Sequence, residues 1–237
     1  MIIRRKGTTP LLITQPDHAQ LAATIMERWQ GDGFPDSPRR AAILLAIREH
    51  DNGWREVDAA PILDANSGEI LDFMTLPDED RRGVWPRGVQ RLAATPYSAA
   101  LVAQHAVHIY RRYRDDAAWT PFFIEMESLR DDFLGQERSA TLDELLRDYR
   151  FLRIGDLASL TFCNGWSEAP EEAGHAVTLA NEYLAISPDP FAGERLSIAI
   201  NARRLPATRF GSAREAAAVY NDSPTVTLTG TVSGAGR

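Results

Sequence analysis

The sequence predicts a mainly α-helical protein with a small β-rich appendage, formed by its N-terminal strands and its C-terminal segment. Three observations carry that expectation. Between residues 16 and 163 apolar residues recur in runs at helical spacing. Both ends of the chain instead carry short β-prone or strictly alternating runs. The last helical run ends at about residue 163, and from about residue 174 the pattern is different, so the chain divides into 1–165 and 166–237, the second part packed on the first.

The elements follow in order. Met1 to Arg5 and Leu11 to Thr14 are short β-prone pieces, and Pro16 opens a helix running to about Trp29. The GDGFPDSP stretch breaks that helix, Pro38 starts the next, and Gly53 stops it just after His50-Asp51. Residues 55 to 95 contain Pro61, Gly68, Pro77, Gly83, Pro86 and Gly88 and are expected to be irregular. So long an irregular segment in a compact domain typically forms a lid or wall of a site. Helices resume at 96–115, 119–136 and 141–163. His175 to Ser187, Arg195 to Leu205 and Thr225 to Val232 carry β-rich runs such as LSIAINA, suited to pairing with the N-terminal strands in a sheet beside the helices.

With 237 residues, 44% of them hydrophobic, the chain can bury a substantial core. A net charge of -7 argues against a nucleic-acid-binding surface, which normally shows a basic excess. No apolar run approaches the roughly 20 residues needed to span a bilayer. The start, MIIRRKGTTPLLITQ, lacks the continuous apolar stretch of a signal peptide. The single cysteine, Cys163, has no internal partner and lies in an apolar helical stretch, as expected of a reduced thiol in a cytoplasmic protein.

Against this background four inward-facing polar residues stand out. His50 and Asp51 close the apolar run AAILLAIREHDNGW, on the phase of Ile43, Leu44, Ala46 and Ile47. Asp51 lies beside the negative end of a helix dipole, an unfavourable place for a carboxylate unless a cation offsets it. His18 shares a face with Leu21, Ala22 and Ile25. In the seam Leu145, Tyr149, Leu152, Asp156, Leu160, Cys163, a carboxylate stands where the pattern asks for an apolar residue. Each alone is an ordinary hydrogen-bonded core group, but together they would need several separate buried partners, whereas one shared cation satisfies them all. Imidazoles mixed with carboxylates suit Mn, Fe, Co or Zn rather than Ca or Mg. His105 lies on an apolar stripe with Leu101, Val102 and Ile109 and has Arg112 seven residues further on. That line reads as a pocket wall.

The order His18, His50-Asp51, Asp156 on successive helices resembles the HD superfamily of metal-dependent phosphohydrolases, and Gly53 extends the match as His-Asp-x-Gly. TQPDHAQLA, REHDNGW and RIGDLASLTFC also resemble an uncharacterised bacterial domain-of-unknown-function family. The resemblance covers about residues 10 to 165. It implies an HD-like helical bundle in which His18, His50, Asp51 and Asp156 hold a divalent transition metal. Asp51 and His105 then serve catalysis, and Arg112 holds the charge of a small phosphorylated metabolite. Arg81, Arg82 and Arg87 are candidates for a mobile phosphate clamp. The chain departs from many HD phosphodiesterases in carrying Trp54 where a Lys or His is usual. Two other readings stay open: an HD-type di-iron oxygenase that adds His105 and His108 as ligands, and an inactive structural or ligand-sensing module.

Overall fold

The computed structural model describes residues 1–6, 9–137, 140–206 and 209–235. About 47% of the chain is helical and 20% is strand, and the strands form one six-stranded, curled mixed sheet shaped as a half-barrel. The fold is therefore α/β, which corrects the mainly α expectation. The strands lie where their alternation placed them, but they join in a full structural layer rather than an appendage. In chain order they are β1 (Ile2–Lys6), β2 (Thr9–Ile13), β3 (Ala176–Ala180), β4 (Tyr183–Ser187), β5 (Arg195–Arg204) and β6 (Thr225–Gly234). Their order in the sheet is β1-β2-β5-β6-β4-β3, with all neighbours antiparallel except β4 and β6.

Local sequence explains this register. Strand β5 alternates exposed and buried positions over most of its length and pairs with β6 from Arg195–Ser233 to Arg203–Thr225. The β3–β4 hairpin turns at Asn181 and Glu182, both at positive φ (51° and 62°), the paired left-handed conformation that matches strand twist. The sheet shares one apolar core with the helices, in which Ile25, Leu152 and Phe162 join Leu184, Ile198 and Val232.

The helices are α1 (Gln15–Met26), α2 (Arg40–Glu49), α3 (Asp78–Gln90), α4 (Pro96–Ile109), α5 (Thr120–Gln136), α6 (Leu142–Asn164) and α7 (Ala213–Asp222). Thr14 caps α1 by accepting the Asp17 N–H, and Thr141 with Glu144 forms a capping box on α6, which ends at left-handed Gly165. Among the described residues no helix is long and apolar enough to cross a membrane.

Three elements differ from the sequence reading. The segment 55–95, expected to be irregular, contains α3, which keeps Pro86 in its interior. It has an acidic first turn (Asp78, Glu79, Asp80), and Val84, Trp85 and Val89 are buried, which outweighs the lost backbone donor. Helix α4 stops at Ile109, and a separate short turn at Arg111–Tyr113 follows it. Helix α7 was not foreseen, although Ser212 and Glu215 stand at capping-box spacing before an Ala-rich run.

Two glycines set the distances on which the site depends. Gly155 sits where a Cβ would come within 2.8 Å of Met26 Cγ and 3.4 Å of an Ile47 methyl, so its lack of one lets α6 approach α1 and α2 beside Asp156. At Gly53 a Cβ would overlap the Val84 carbonyl, so only glycine lets the turn after His50-Asp51 lie against α3.

Candidate metal centre

Four helices deliver the polar residues to one place. His18 comes from the first turns of α1, His50 and Asp51 from the end of α2, His105 from α4, and Asp156 from the middle of α6. The three imidazoles and Asp51 are buried, and the Asp156 side chain is 16% exposed. His18 Nε2 lies 2.9 Å from Asp51 Oδ2 and 3.6 Å from Asp156 Oδ1. His50 Nε2 lies 3.6 Å from Asp51 Oδ2 and 3.4 Å from Asp156 Oδ1. These separations match the ligand-to-ligand edges expected around an ion bound at ~2.1 Å, roughly 3.0 Å for an octahedron and 3.4 Å for a tetrahedron. His105 Nε2 approaches the same carboxylate from its other oxygen, 3.7 Å from Asp156 Oδ2. Two overlapping sets of side chains could hold a metal ion: His18, His50 and Asp51, and His50, His105 and Asp156.

The nitrogen on the far side of each ring is occupied, which bears on what the near side offers. His50 Nδ1 lies 2.7 Å from the Ile47 carbonyl, which only accepts, so Nδ1 carries the proton and Nε2 of the neutral ring holds a bare lone pair. That Nε2 is buried without a hydrogen-bond partner. His18 Nδ1 lies 2.5 Å from Ser159 Oγ; with the proton on Nδ1 the ring donates to Ser159 and turns a lone pair inward, and with the proton on Nε2 it accepts from Ser159 and donates to Asp51 Oδ2. A neutral His18 in the first tautomer sets two acceptors, Nε2 and Asp51 Oδ2, 2.9 Å apart. A bound cation makes that contact favourable, as does the proton on Nε2 in the other tautomer. His105 Nδ1 pairs with the Tyr149 hydroxyl at 2.9 Å. Such outer partners are the usual means by which a metal-binding ring is held in place.

The titration behaviour follows from this geometry. Burial alone would lower the His50 pKa, but Asp51 and Asp156 raise it to about 9, so without a metal the ring holds an extra proton between the two carboxylates. Burial likewise opposes the charge on Asp156, yet His50, His105 and His18 hold its pKa below the usual carboxylate range. His105 is pushed down to about 3, mainly by burial, and is neutral at physiological pH.

The centre opens into a cavity of about 200 Å³, whose other walls include Gln15, Trp54, Phe73, Trp85 and Tyr110. Asp51 and His105 line it, whereas Arg112 does not. The helical phase that put Arg112 in line with His105 ends with α4, and its exposed guanidinium instead lies over Tyr113 and donates to that hydroxyl at 2.9 Å. Arg81 pairs with Asp78 among the rings of Tyr110, Tyr113 and Trp119, Arg82 donates to the Ala118 carbonyl, and Arg87 donates to Gly53 O. None of these arginines reaches the cavity. His108 is half-buried against the Tyr149 ring, its pKa pushed down to about 4 by burial with Arg111 and Arg153 adding to the effect, and it belongs to neither ligand set.

Sequence reasoning missed Ser159, Tyr149 and Gln15. The first two carry a legible signal, because they lie three residues after and seven before Asp156 on the same helical face. Gln15 carries none.

No curated protein and no solved structure matches the chain. A family model described as a protein of unknown function (DUF3891) matches residues 1–207, a span that includes all five residues of the centre and strands β1 to β5. On that match, the chain belongs to the DUF3891 family.

Proposed function

We propose that this protein is a metal-dependent hydrolase of a small molecule, with its ion held by His18, His50, Asp51 and Asp156. One observation carries the reading: two inward-turned imidazole Nε2 atoms and two carboxylate oxygens meet at ligand spacing, beside a cavity, with the far nitrogens already occupied. A divalent ion bound there would lower the pKa of a coordinated water toward neutrality and polarise the bond under attack. The chain's own groups do the rest. Ser159 and the Ile47 carbonyl hold two of the rings, and the aromatic wall limits access of bulk water. His105, neutral at working pH, orients a bound molecule rather than delivering a proton to it.

The HD resemblance supports hydrolysis and adds phosphoryl chemistry as the class expected from sequence. The test is metal analysis of the purified chain, followed by ester, amide and phosphoester panels with Mn, Fe, Co and Zn added separately. Activity is expected to vanish with bound metal in Asp51→Asn, and hydrolysis that survives this substitution would exclude the centre as its source. The second ligand set, His50, His105 and Asp156, favours one other reading, an HD-type iron oxygenase. Two irons per chain with consumption of dioxygen would support that reading, and metal-dependent hydrolysis without it supports the hydrolase.

A further inference from the structure

We infer that the ligand of this centre is a compact molecule carrying one polar group for the ion on an uncharged apolar body, rather than a polyol or a sugar phosphate. The inference deepens the hydrolase reading and rests on it for the ion; the preference itself comes from the cavity wall. Within the centre the Asp156 side chain, 16% exposed, is the most accessible, so a ligand meets the ion site beside that carboxylate. The remaining wall that a ligand can touch is apolar. Phe73, Ile109 and Leu160 line the cavity and are only partly buried, and the rings of Trp54, Trp85 and Tyr110 complete the lining. Ile109 and Leu160 stand one helical turn after His105 and Asp156, so each apolar side chain adjoins a residue of the centre, and packing brings Phe73 to the same cavity. The polar groups left in the lining are not on offer: Gln15 is buried, and the Tyr110 hydroxyl accepts from the Trp85 indole at 3.4 Å and donates to the Arg81 carbonyl at 3.5 Å.

Desolvation selects the body of the ligand. Hydroxyls placed against Phe73, Ile109 and Leu160 would give up water without gaining a protein partner, whereas an apolar body gains by leaving water. No Arg or Lys is among the described residues lining the cavity, so a phosphoryl group would meet no side-chain cation of the kind that grips its oxygens. Size sets the limit. A volume of about 200 Å³ corresponds to roughly seven waters' share of liquid volume. That admits a single ring or a short branched chain but no nucleotide.

The experiment keeps the ion-binding group constant and varies the body. The hydroxamates of benzoic, acetic and glyceric acid are titrated by calorimetry into the zinc-loaded full chain. The benzoic compound should bind roughly 10- to 100-fold more tightly than the acetic one, the worth of burying a ring-sized apolar group, and the glyceric compound no more tightly than the acetic one. Phe73→Ala and, separately, Leu160→Ala should each lower the affinity of the benzoic compound about 3- to 10-fold. Unchanged binding of the acetic compound shows that each variant is folded and holds zinc. NMR of the five tryptophan indole N–H groups locates the ring, with the Trp54 signal assigned by its loss in Trp54→Phe; that signal should move with the benzoic compound. Equal affinities for the benzoic and acetic compounds, tightest binding of the glyceric compound, or a preference that survives both wall substitutions would overturn the inference. Failure of the chain to take up zinc would remove the hydrolase reading, and the metal-free chain then decides the inference alone: benzyl alcohol should move the Trp54 signal saturably and glycerol should not, and the reverse, or no movement with either, would overturn it.

Discussion

Metal and proton compete for His50, and the competition can be measured. The metal-free ring holds its second proton at Nε2, between Asp51 at 3.6 Å and Asp156 at 3.4 Å, with a pKa of about 9. An ion that uses the Nε2 lone pair must expel that proton, so each pH unit below 9 weakens apparent metal affinity about tenfold, or ~1.4 kcal/mol. From pH 6 to pH 8 the gain in affinity should therefore be roughly a hundredfold, with about one proton released per ion from this ring. Zinc competition against a chromophoric chelator gives the affinities. Calorimetry in two buffers of different ionisation enthalpy gives the proton count. An affinity that is flat from pH 6 to pH 8, or binding without proton release, would refute the assignment of His50 Nε2 as a ligand.

Four further outcomes follow from the same geometry. In the metal-free protein the stability due to His50 is fully present below pH 6.5 and lost as pH rises through about 9, on the order of 3 kcal/mol. His105 works in the opposite sense, because its pKa is pushed down to about 3: its contribution is present above pH 6.5 and lost as pH falls toward 3. Thermal melts of metal-free protein should therefore peak near pH 6.5, and a Tm that still climbs from pH 7 to pH 9 would contradict the His50 assignment. Ser159→Ala frees the His18 ring and should weaken zinc binding about 10- to 100-fold with the fold retained by circular dichroism. Gly53→Ala forces a Cβ into the Val84 carbonyl, so urea unfolding should show a loss of roughly 1–3 kcal/mol or more. Arg112→Ala removes an exposed side chain stacked on Tyr113, and zinc affinity and stability should both stay within about 0.5 kcal/mol of the parent.

The residues of the centre were legible because each breaks a local rule. A histidine or carboxylate on an apolar helical stripe is conspicuous at a single position, and helical phase carries its direction across the few residues that matter. Phase is reliable only while the helix lasts. Arg112 was assigned to the pocket across seven residues, but α4 ends at Ile109, and the turn at Arg111–Tyr113 swings the side chain away. The sheet was half legible for a related reason. Alternation such as LSIAINA gave the strands their places, but the closure of six strands in one half-barrel depends on β5 pairing with both β2 and β6, contacts no local pattern encodes. Helix α3 was hidden by glycine and proline counts, although the buried faces of Val84, Trp85 and Val89 outweigh them.

The cavity walls were the least legible part, and for a physical reason that bears on function. Gln15, Phe73, Trp85 and Tyr110 come from α1, a loop, α3 and the end of α4, and nothing in their sequence spacing marks them as neighbours. What recognises a ligand here is therefore set by tertiary packing, whereas what holds the ion is set by helical phase. The two layers meet at Trp54, which follows Gly53 directly and can lie beside the centre only because that glycine lets the turn press on α3. Loss of Gly53 should consequently disturb the ligand wall before the ligand set, since His18, His105 and Asp156 are anchored on other helices. A Gly53→Ala protein that remains folded should keep most of its zinc affinity while its Trp54 indole signal moves. Loss of zinc with an unmoved Trp54 signal would show that the turn supports the ion rather than the wall.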